Sequence, residues 1–384
     1  MPANLDPLEK ESQIEETTGL CLSGGGYRAT IFHLGTLIRL NETGHLRQLA
    51  RVSSVSGGSI TSAVLGLHWK DLKWDSQGRA ENLIEKVVDP VRALARTTID
   101  EGAVIGGLFD PFHSVGDKVA SAYNKALFSG ATLQALPNDS KGEGPRFIIN
   151  ATNIQSGVLW RFSRPYMGDY KVGLVKDPTV PLAVAVAASS AFPPILSPVR
   201  LDASHFTFEP GTGSSLQRTP FIEKVMLSDG GVYDNMGMET VWKRCRTVLV
   251  SDAGAALPAE EEPASDWARH SIRVLNIVDN QVRSLRKREL IAAFKAGTEH
   301  KGAYWSIRNV PADYPAVASV AALGFDPARA AALAATPTRL KAMDDSWQEG
   351  LINLGYVTTA VALASHSPGP LASASVAWPY ARGI

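Results

Sequence analysis

Two consecutive strand–turn–helix units near the start of the chain constrain its fold most. In the first, a short apolar strand over residues 19–23 runs into three glycines and then into helical spacing. In the second, a strand over residues 51–55 runs into a turn centred on Ser56, and another helix follows. Tight joins between alternating strands and helices predict a parallel α/β sheet, with functional residues at the carboxyl ends of its strands.

The glycine turn has the chemistry of an oxyanion hole. The backbone N–H groups of Gly24, Gly25 and Gly26 stand at a helix start, where they can hold the negative charge of an ester-hydrolysis transition state. Gly24-x-Gly26-x-x-Ala29 also fits the dinucleotide fingerprint, so a nucleotide-binding oxidoreductase is an alternative. That fold needs an acidic residue about twenty residues later, and the second strand ends in serines instead, which favours the ester hydrolase.

The second turn predicts the nucleophile. Residues 54–58 read SVSGG and follow the elbow pattern G-x-S-x-G, with Ser54 in the place of the first glycine. Ser56 occupies the centre of the pattern. Ser53, Ser54 and Ser59 are the neighbouring rivals.

The general base is predicted to be acidic. Of the eight histidines, His300 and His366 come late enough for a hydrolase triad, but neither follows a convincing strand. Asp229, by contrast, ends an apolar strand and is followed by two glycines. A carboxylate in partly apolar surroundings has a raised pKa and can accept a serine proton. Asp234 and Asp252 compete as a turn former and a strand-end cap.

In order and spacing, these motifs resemble the patatin-like phospholipases. The resemblance covers about residues 19–240, and residues 23–29 (SGGGYRA) and 229–235 (DGGVYDN) are similar in wording to the cytosolic phospholipase A branch. It implies a three-layer α/β/α fold with a central, mostly parallel sheet. It also implies a Ser56–Asp229 dyad without a catalytic histidine and a phospholipase, lysophospholipase or acyl-ester hydrolase activity that needs no metal or other cofactor. A non-catalytic member of the fold is the third alternative.

Two further features bear on substrate contact. Arg28, one turn into the first helix, is interpreted either as a ligand of a lipid phosphate or as part of a structural ion pair. Residues 100–119 contain Leu108, Phe109 and Phe112 and are interpreted either as a mobile lid or as a partly buried connection.

Charge and chain organisation complete the expectations. The 38 basic and 38 acidic residues cancel, which argues against nucleic acid as a partner and against electrostatic docking on an anionic membrane. We therefore expect a lipid or acyl-ester substrate, transient apolar contact with a membrane or micelle, and, without signal-peptide features, a cytoplasmic location. The expected organisation is a mobile tail (1–18), a catalytic domain (19–310), a packed C-terminal helical extension (311–366) and a loose tail (367–384).

Overall fold

The computed structural model describes residues 13–99, 115–194, 196–297, 299–367 and 375–384. The described strands are β1 (Glu15–Leu22), β2 (Leu49–Val55), β3 (Arg146–Asn153), β4 (Val158–Phe162), β5 (Tyr166–Asp169), β6 (Gly173–Lys176), β7 (Val199–Asp202), β8 (Lys224–Asp229), β9 (Cys245–Asp252) and β10 (Lys301–Ser306). The described α-helices are α1 (Gly26–Glu42), α2 (Gly57–His68), α3 (Asp89–Ala95), α4 (Val115–Tyr123), α5 (Leu182–Ser189), α6 (Gly231–Asp234), α7 (Glu239–Trp242), α8 (Trp267–Ala296), α9 (Pro327–Ala334) and α10 (Asp345–His366).

The described strands form one sheet in the order β10-β9-β1-β2-β3-β4-β5-β6. Its first five strands are mutually parallel. Strands β4, β5 and β6 continue from β3 as an antiparallel meander, and β8 runs antiparallel to both β3 and β7. Strands β5, β6 and β7 have only four residues each, too few for a period-two pattern to stand out in the sequence.

Helices cover both faces of the parallel part of the sheet. Leu20 and Leu22 of β1 belong to one hydrophobic core together with Leu351 of α10, whereas Cys21 points to a second core that contains Leu290 of α8. Successive side chains of a strand face opposite sides, so this alternation requires a helical layer on each side. The predicted three-layer α/β/α arrangement is confirmed.

The C-terminal helix is part of the principal core. Helices α1 and α10 cross with their backbones in contact, because a methyl group at Gly35 would lie 1.9 Å from the Ile352 carbonyl oxygen. Residues 375–384, expected to be loose, are held against α10, where the Asn353 amide donates to the carbonyl oxygens of Tyr380 (2.8 Å) and Gly383 (3.0 Å).

At the other end of the chain, β1 begins at Glu15, inside the segment expected to be a mobile tail. The Glu15 amide donates to the Arg244 carbonyl oxygen at 2.7 Å, which extends the pairing with β9 beyond the apolar residues that marked the strand in the sequence.

In the described part of the chain, no single helix has the length and apolar character to cross a membrane. One sharply bent pair of helices, Val317–Leu323 and Pro327–Ala334, is long and apolar enough only when the two are counted together, and this judgement uses length and composition alone.

Candidate active site

Two strands meet end to end along one edge of β3 and bring the predicted dyad together. Val55, the last residue of β2, pairs with Asn150, and Asp229, the last residue of β8, pairs with the next residue, Ala151. Because β2 is parallel and β8 antiparallel to β3, the two strands approach from opposite directions. Ser56 therefore follows one strand end at the point where the other strand delivers Asp229.

Ser56 has the backbone of a nucleophile elbow. Its φ of 53° and ψ of −125° lie in a region that non-glycine residues rarely adopt. The turn is held by tight packing, since a methyl group at Gly57 would lie 2.1 Å from the Gly26 carbonyl oxygen and one at Gly58 would lie 2.6 Å from the Leu22 carbonyl oxygen. Only residues without a side chain fit at these two positions, which explains the glycines of the pattern.

A buried serine network supports the elbow from behind. The Ser59 hydroxyl donates to Ser54 Oγ at 3.1 Å and lies 2.9 Å from Ser189 Oγ, which in turn accepts the Ser56 amide at 3.0 Å. The Ser53 hydroxyl accepts bonds from two side chains and, like those of Ser54 and Ser59, is fully buried. The hydroxyl that Ser54 adds to the elbow pattern is thus satisfied by a hydrogen bond inside the protein. All three rival serines are buried and hydrogen-bonded.

Asp229 is a buried carboxylate with one well-bound oxygen. Only 1% of the residue is exposed, and Oδ1 accepts the Gly231 amide at 2.7 Å. Oδ2 is buried without a partner at hydrogen-bond geometry among the described residues, yet the Ser56 hydroxyl is close enough to lower the pKa. Burial outweighs both contacts and, with a smaller contribution from the negative charge of Asp279, raises the pKa of Asp229 to about 7.

The glycine turn differs from the prediction in one donor. The Gly24 amide donates to the Asn235 carbonyl oxygen at 3.0 Å and is therefore engaged within the protein. The amides of Gly25 and Gly26, at the first turn of α1, have no acceptor in the described ranges. Gly24 instead allows the glycine turn to approach the nucleophile closely, since a methyl group at this position would lie 3.0 Å from Ser56 Cβ. The expected oxyanion hole thus contracts to Gly25 and Gly26, because the loop after β8 closes over the first glycine.

Arg28 is bound to backbone carbonyls rather than to an acidic side chain. Its Nε donates to the Ala253 carbonyl oxygen at 3.0 Å, and its Nη1 donates to the Thr336 carbonyl oxygen. Burial, followed by the nearby positive charge of Arg283, lowers the pKa of this guanidinium to about 10. Arg28 therefore links the glycine turn to two segments that are distant in the sequence. Its partners are backbone carbonyl groups and not the acidic side chain of the expected ion pair.

The Ser56 and Asp229 side chains open into a cleft of about 290 Å³. Its other walls are Arg28, the loop after β9 and one face of α8. The residues that line it are Gly24, Gly25, Arg28, Ser56, Phe192, Asp229, Asn235, Gly254, Ala255, Ala256, Leu257, Pro258, Asn276, Asp279, Asn280, Arg283 and Thr338. The α8 residues were not identified from the sequence. Its periodicity indicated a helix but not that the helix packs beside the cleft.

None of the described residues lining this cleft is a histidine. His300 is buried, where its Nδ1 lies 3.2 Å from the Cys245 carbonyl oxygen and its ring stacks on Trp242. His33 is fully buried between Ser251 Oγ (2.9 Å) and the Ser23 carbonyl oxygen (3.0 Å), and burial lowers its pKa to about 4. A neutral His33 therefore supports the strand end that precedes the glycine turn.

The two competing aspartates have structural partners. Asp234 accepts the Glu239 amide at 2.8 Å, and Asp252 accepts the Tyr304 hydroxyl at 2.8 Å and the Gly254 amide at 2.9 Å. Neither lines the cleft.

The remaining expectations concern a lid and a metal. Leu108, Phe109 and Phe112 lie outside the described residues. In the described ranges, no three His, Cys, Asp or Glu side chains are grouped so that they could hold a metal ion.

Comparisons with known proteins bear on the family and the fold. The family model described as patatin-like phospholipase matches residues 20–242. No curated protein matches the chain. A structure of human GIVD cytosolic phospholipase A2 in complex with methyl gamma-linolenyl fluorophosphonate is 14% identical with a TM-score of 0.50, covering 90% of this chain and 57% of that one.

Two further solved structures are more distant. Another structure of the human enzyme is 14% identical with a TM-score of 0.43, covering 62% of this chain and 45% of that one. VipD from Legionella pneumophila is 17% identical with a TM-score of 0.37, covering 92% of this chain and 67% of that one. The chain thus spans about half the length of the human phospholipase, 45% and 57% in the two structures.

Proposed function

Because the chain belongs to the patatin-like phospholipase family, we propose that it hydrolyses acyl esters of lipids, as a phospholipase A or lysophospholipase, with Ser56 as nucleophile and Asp229 as general base. One observation carries the proposal. A serine in an elbow conformation adjoins a buried carboxylate whose pKa is about 7, in a cleft whose described lining contains no histidine. A base with a pKa near the working pH is both sufficiently ionised and sufficiently basic to take the serine proton.

The reaction follows from these groups. Asp229 accepts the Ser56 hydroxyl proton through Oδ2 as Oγ attacks the ester carbonyl carbon, and the amides of Gly25 and Gly26 stabilise the resulting oxyanion. Protonated Asp229 then returns the proton to the departing alcohol, which leaves an acyl group on Ser56. Water, deprotonated by Asp229, releases the fatty acid and regenerates the hydroxyl.

An apolar groove next to the cleft suits the acyl chain. It has a volume of about 610 Å³ and shares five lining residues with the cleft: Arg28, Ala255, Ala256, Pro258 and Thr338. Its outer part is lined largely by small apolar side chains: Val310, Pro327, Ala330, Ala331, Ala334, Ala335 and Pro337. We assign the acyl chain to this groove. Arg28 would then stand between the groove and the cleft, beside the first part of the acyl chain.

Labelling with a fluorophosphonate probe tests the proposal. The probe should modify Ser56, and Ser56→Ala should lose both labelling and hydrolysis of a short-chain ester. Ser59→Ala is the matched control. The Ser59 hydroxyl is fully buried and is linked to the Ser56 amide by two hydrogen bonds through Ser189, so this variant should still be labelled at Ser56. Modification at Ser53 or Ser59 would contradict the assignment.

Labelling and a dinucleotide titration together separate the alternatives. A non-catalytic member of the fold would be neither labelled nor active. A nucleotide-binding oxidoreductase would bind a dinucleotide at the glycine turn, which a binding titration with NAD or NADP measures directly. The family match argues against this second reading.

A further inference from the structure

Helix α8 presents a row of polar side chains to the catalytic cleft. Asn276, Asp279, Asn280 and Arg283 line the cleft together with Ser56. Their spacing of i, i+3, i+4 and i+7 places the four α8 residues on one face of the helix. We call these four residues the α8 polar face. The wall that α8 contributes to the cleft therefore suits hydrogen-bonding groups better than a hydrocarbon chain.

Three members of the α8 polar face have hydrogen-bonding groups without a partner. Among the described residues, the side chains of Asn276, Asp279 and Asn280 form no hydrogen bond, and Asp279 forms no ion pair. Arg283, by contrast, donates to the Ala255 carbonyl oxygen at 2.7 Å. Asp279 is half-buried, and burial raises the pKa of its carboxyl group against the opposing effect of Arg283. Because a half-buried carboxylate without a donor is unfavourable, Asp279 is a strong acceptor for a ligand that fills the cleft.

Asp279 also lies close to the reacting groups. Its negative charge contributes to the raised pKa of Asp229, so the two carboxyl groups are near enough to interact electrostatically. Both line the cleft into which the Ser56 side chain opens. A substrate group bound by Asp279 is therefore part of the reacting ester's immediate surroundings.

The acyl groove leaves the cleft on a side that α8 does not form. The groove and the cleft share Arg28, Ala255, Ala256, Pro258 and Thr338. None of the described residues that line the groove belongs to α8. When the acyl chain occupies the groove, the alcohol part of the ester remains in the cleft, against the α8 polar face.

The alcohol part is where monoacyl and diacyl glycerolipids differ. In a 1-monoacyl lipid, the glycerol carbon next to the ester-bearing carbon carries a free hydroxyl, which can donate to the Asp279 carboxylate. In a diacyl lipid the same carbon carries a second acyl chain, which offers no donor and brings hydrocarbon against Asn276 and Asn280. A site that hydrogen-bonds a substrate hydroxyl discriminates against analogues without it, because its own polar groups are then left unpaired.

We propose that the α8 polar face recognises the free hydroxyl of a monoacylated glycerol unit through Asp279, so that the cleft selects lysophospholipids or monoacylglycerols over diacyl lipids. The inference rests on the proposed function for the hydrolysis itself and deepens it by naming the substrate class. Helix α8 lies beyond residues 20–242, the part of the chain that the family model matches.

Two substrates that differ by one hydroxyl test the inference. The first is a short-chain 1-acyl-lysophosphatidylcholine below its critical micelle concentration, and the second is its 2-deoxy analogue. At pH 8, wild type should hydrolyse the first with a kcat/KM about tenfold to a hundredfold higher, because only this substrate donates a hydrogen bond to Asp279. The corresponding diacyl lipid should be hydrolysed no faster than the deoxy analogue. Equal kcat/KM values for the lysolipid and the deoxy analogue would overturn the inference.

Asp279→Ala removes the acceptor and should bring the ratio of the two kcat/KM values close to one. Both substrates depend on Asp229, so any effect of the substitution on the pKa of Asp229 cancels in this ratio. Glu289→Ala is the matched control, because Glu289 is the other acidic residue of α8, is exposed and does not line the cleft. It should keep the wild-type ratio. A preference for the hydroxyl that survives Asp279→Ala, or that Glu289→Ala abolishes equally, would refute recognition by Asp279.

A soluble p-nitrophenyl ester, which contains no glycerol, separates this inference from the proposed function. If wild type hydrolyses neither this ester nor the lysolipid, the proposed function fails and the inference fails with it. If wild type hydrolyses the ester but shows no preference for the hydroxyl, the inference alone fails. The same comparison with a 1-monoacylglycerol and its 2-deoxy analogue distinguishes the two sources of the monoacylated unit. A preference for the hydroxyl in either series supports the inference, and the series with the higher kcat/KM shows whether the substrate carries a phosphate.

Discussion

Asp229→Asn is expected to remove catalysis and, above neutral pH, to stabilise the protein. The wild-type carboxylate is buried, and within the described residues it forms no ion pair with a lysine or arginine. Its pKa, raised from 3.8 to about 7 chiefly by burial, means that the folded protein resists ionisation of this group. An asparagine keeps the shape and the acceptor for the Gly231 amide but carries no charge, so it avoids that resistance.

The sign and size of the effect follow from proton linkage. Because the folded-state pKa lies above the unfolded value, the folded state binds the proton more tightly, and wild type loses stability as pH rises from about 4 to about 7. The full difference corresponds to about 4 kcal/mol at pH 8, and less than half of it is already present at pH 5. The advantage of Asp229→Asn over wild type should thus grow by about 2 to 3 kcal/mol between pH 5 and pH 8.

Urea unfolding at the two pH values measures this difference, and hydrolysis of a soluble short-chain ester measures the catalytic loss, expected to be a hundredfold or more. Asp202→Asn is the control. Asp202 is exposed and its pKa is lowered by hydrogen bonds from Ser204, so its replacement should give no such gain at pH 8. A constant stability difference between pH 5 and pH 8 for Asp229→Asn would refute the account of a buried, uncompensated carboxylate, and full activity would refute its role as base.

The other predictions concern the same site. In wild type, kcat/KM for a soluble ester should rise about tenfold per pH unit below pH 7 and level off above it; Asp279→Asn should move the midpoint of this profile downward, because the negative charge of Asp279 raises the pKa of Asp229. His300→Ala and His366→Ala should keep most of the ester hydrolysis of wild type, and a loss as large as that of Asp229→Asn would indicate a triad. Hydrolysis of the soluble ester should persist in the presence of a chelator, and a loss that added metal restores would reveal a metal site.

The dyad was predictable because its signals are local. A serine in a glycine-flanked turn and an aspartate before two glycines each follow an apolar strand, and strand ends collect functional residues in α/β folds. The sequence did not reveal that β8 runs antiparallel to β3. Its end still reaches Ser56, because β2 and β8 share one edge of β3 and their pairings stop at the neighbouring residues Asn150 and Ala151.

The oxyanion hole was predicted only in part, because the state of a backbone amide depends on distant residues. Three consecutive glycines offer three equivalent donors in the sequence. The structure distinguishes among them through Asn235, whose carbonyl oxygen takes the Gly24 amide. The same applies to Arg28, whose partners at Ala253 and Thr336 are more than two hundred residues away along the chain. Neither contact leaves a pattern near the residue that it affects.

Helix α8 shows a deeper limit of periodicity. An amphipathic pattern identifies a helix and its two faces, but the assignment of the apolar face to the interior assumes that the helix covers a core. Here Leu290 and Phe294 meet that assumption, whereas the preceding two turns cover a cleft lined by Asn280 and Arg283. The inner face changes character along one continuous helix, so the residues opposite the cleft are left apolar and exposed. If the cleft holds the reacting ester, the same geometry that supplies polar groups to the site also leaves an apolar helix face exposed on the opposite side.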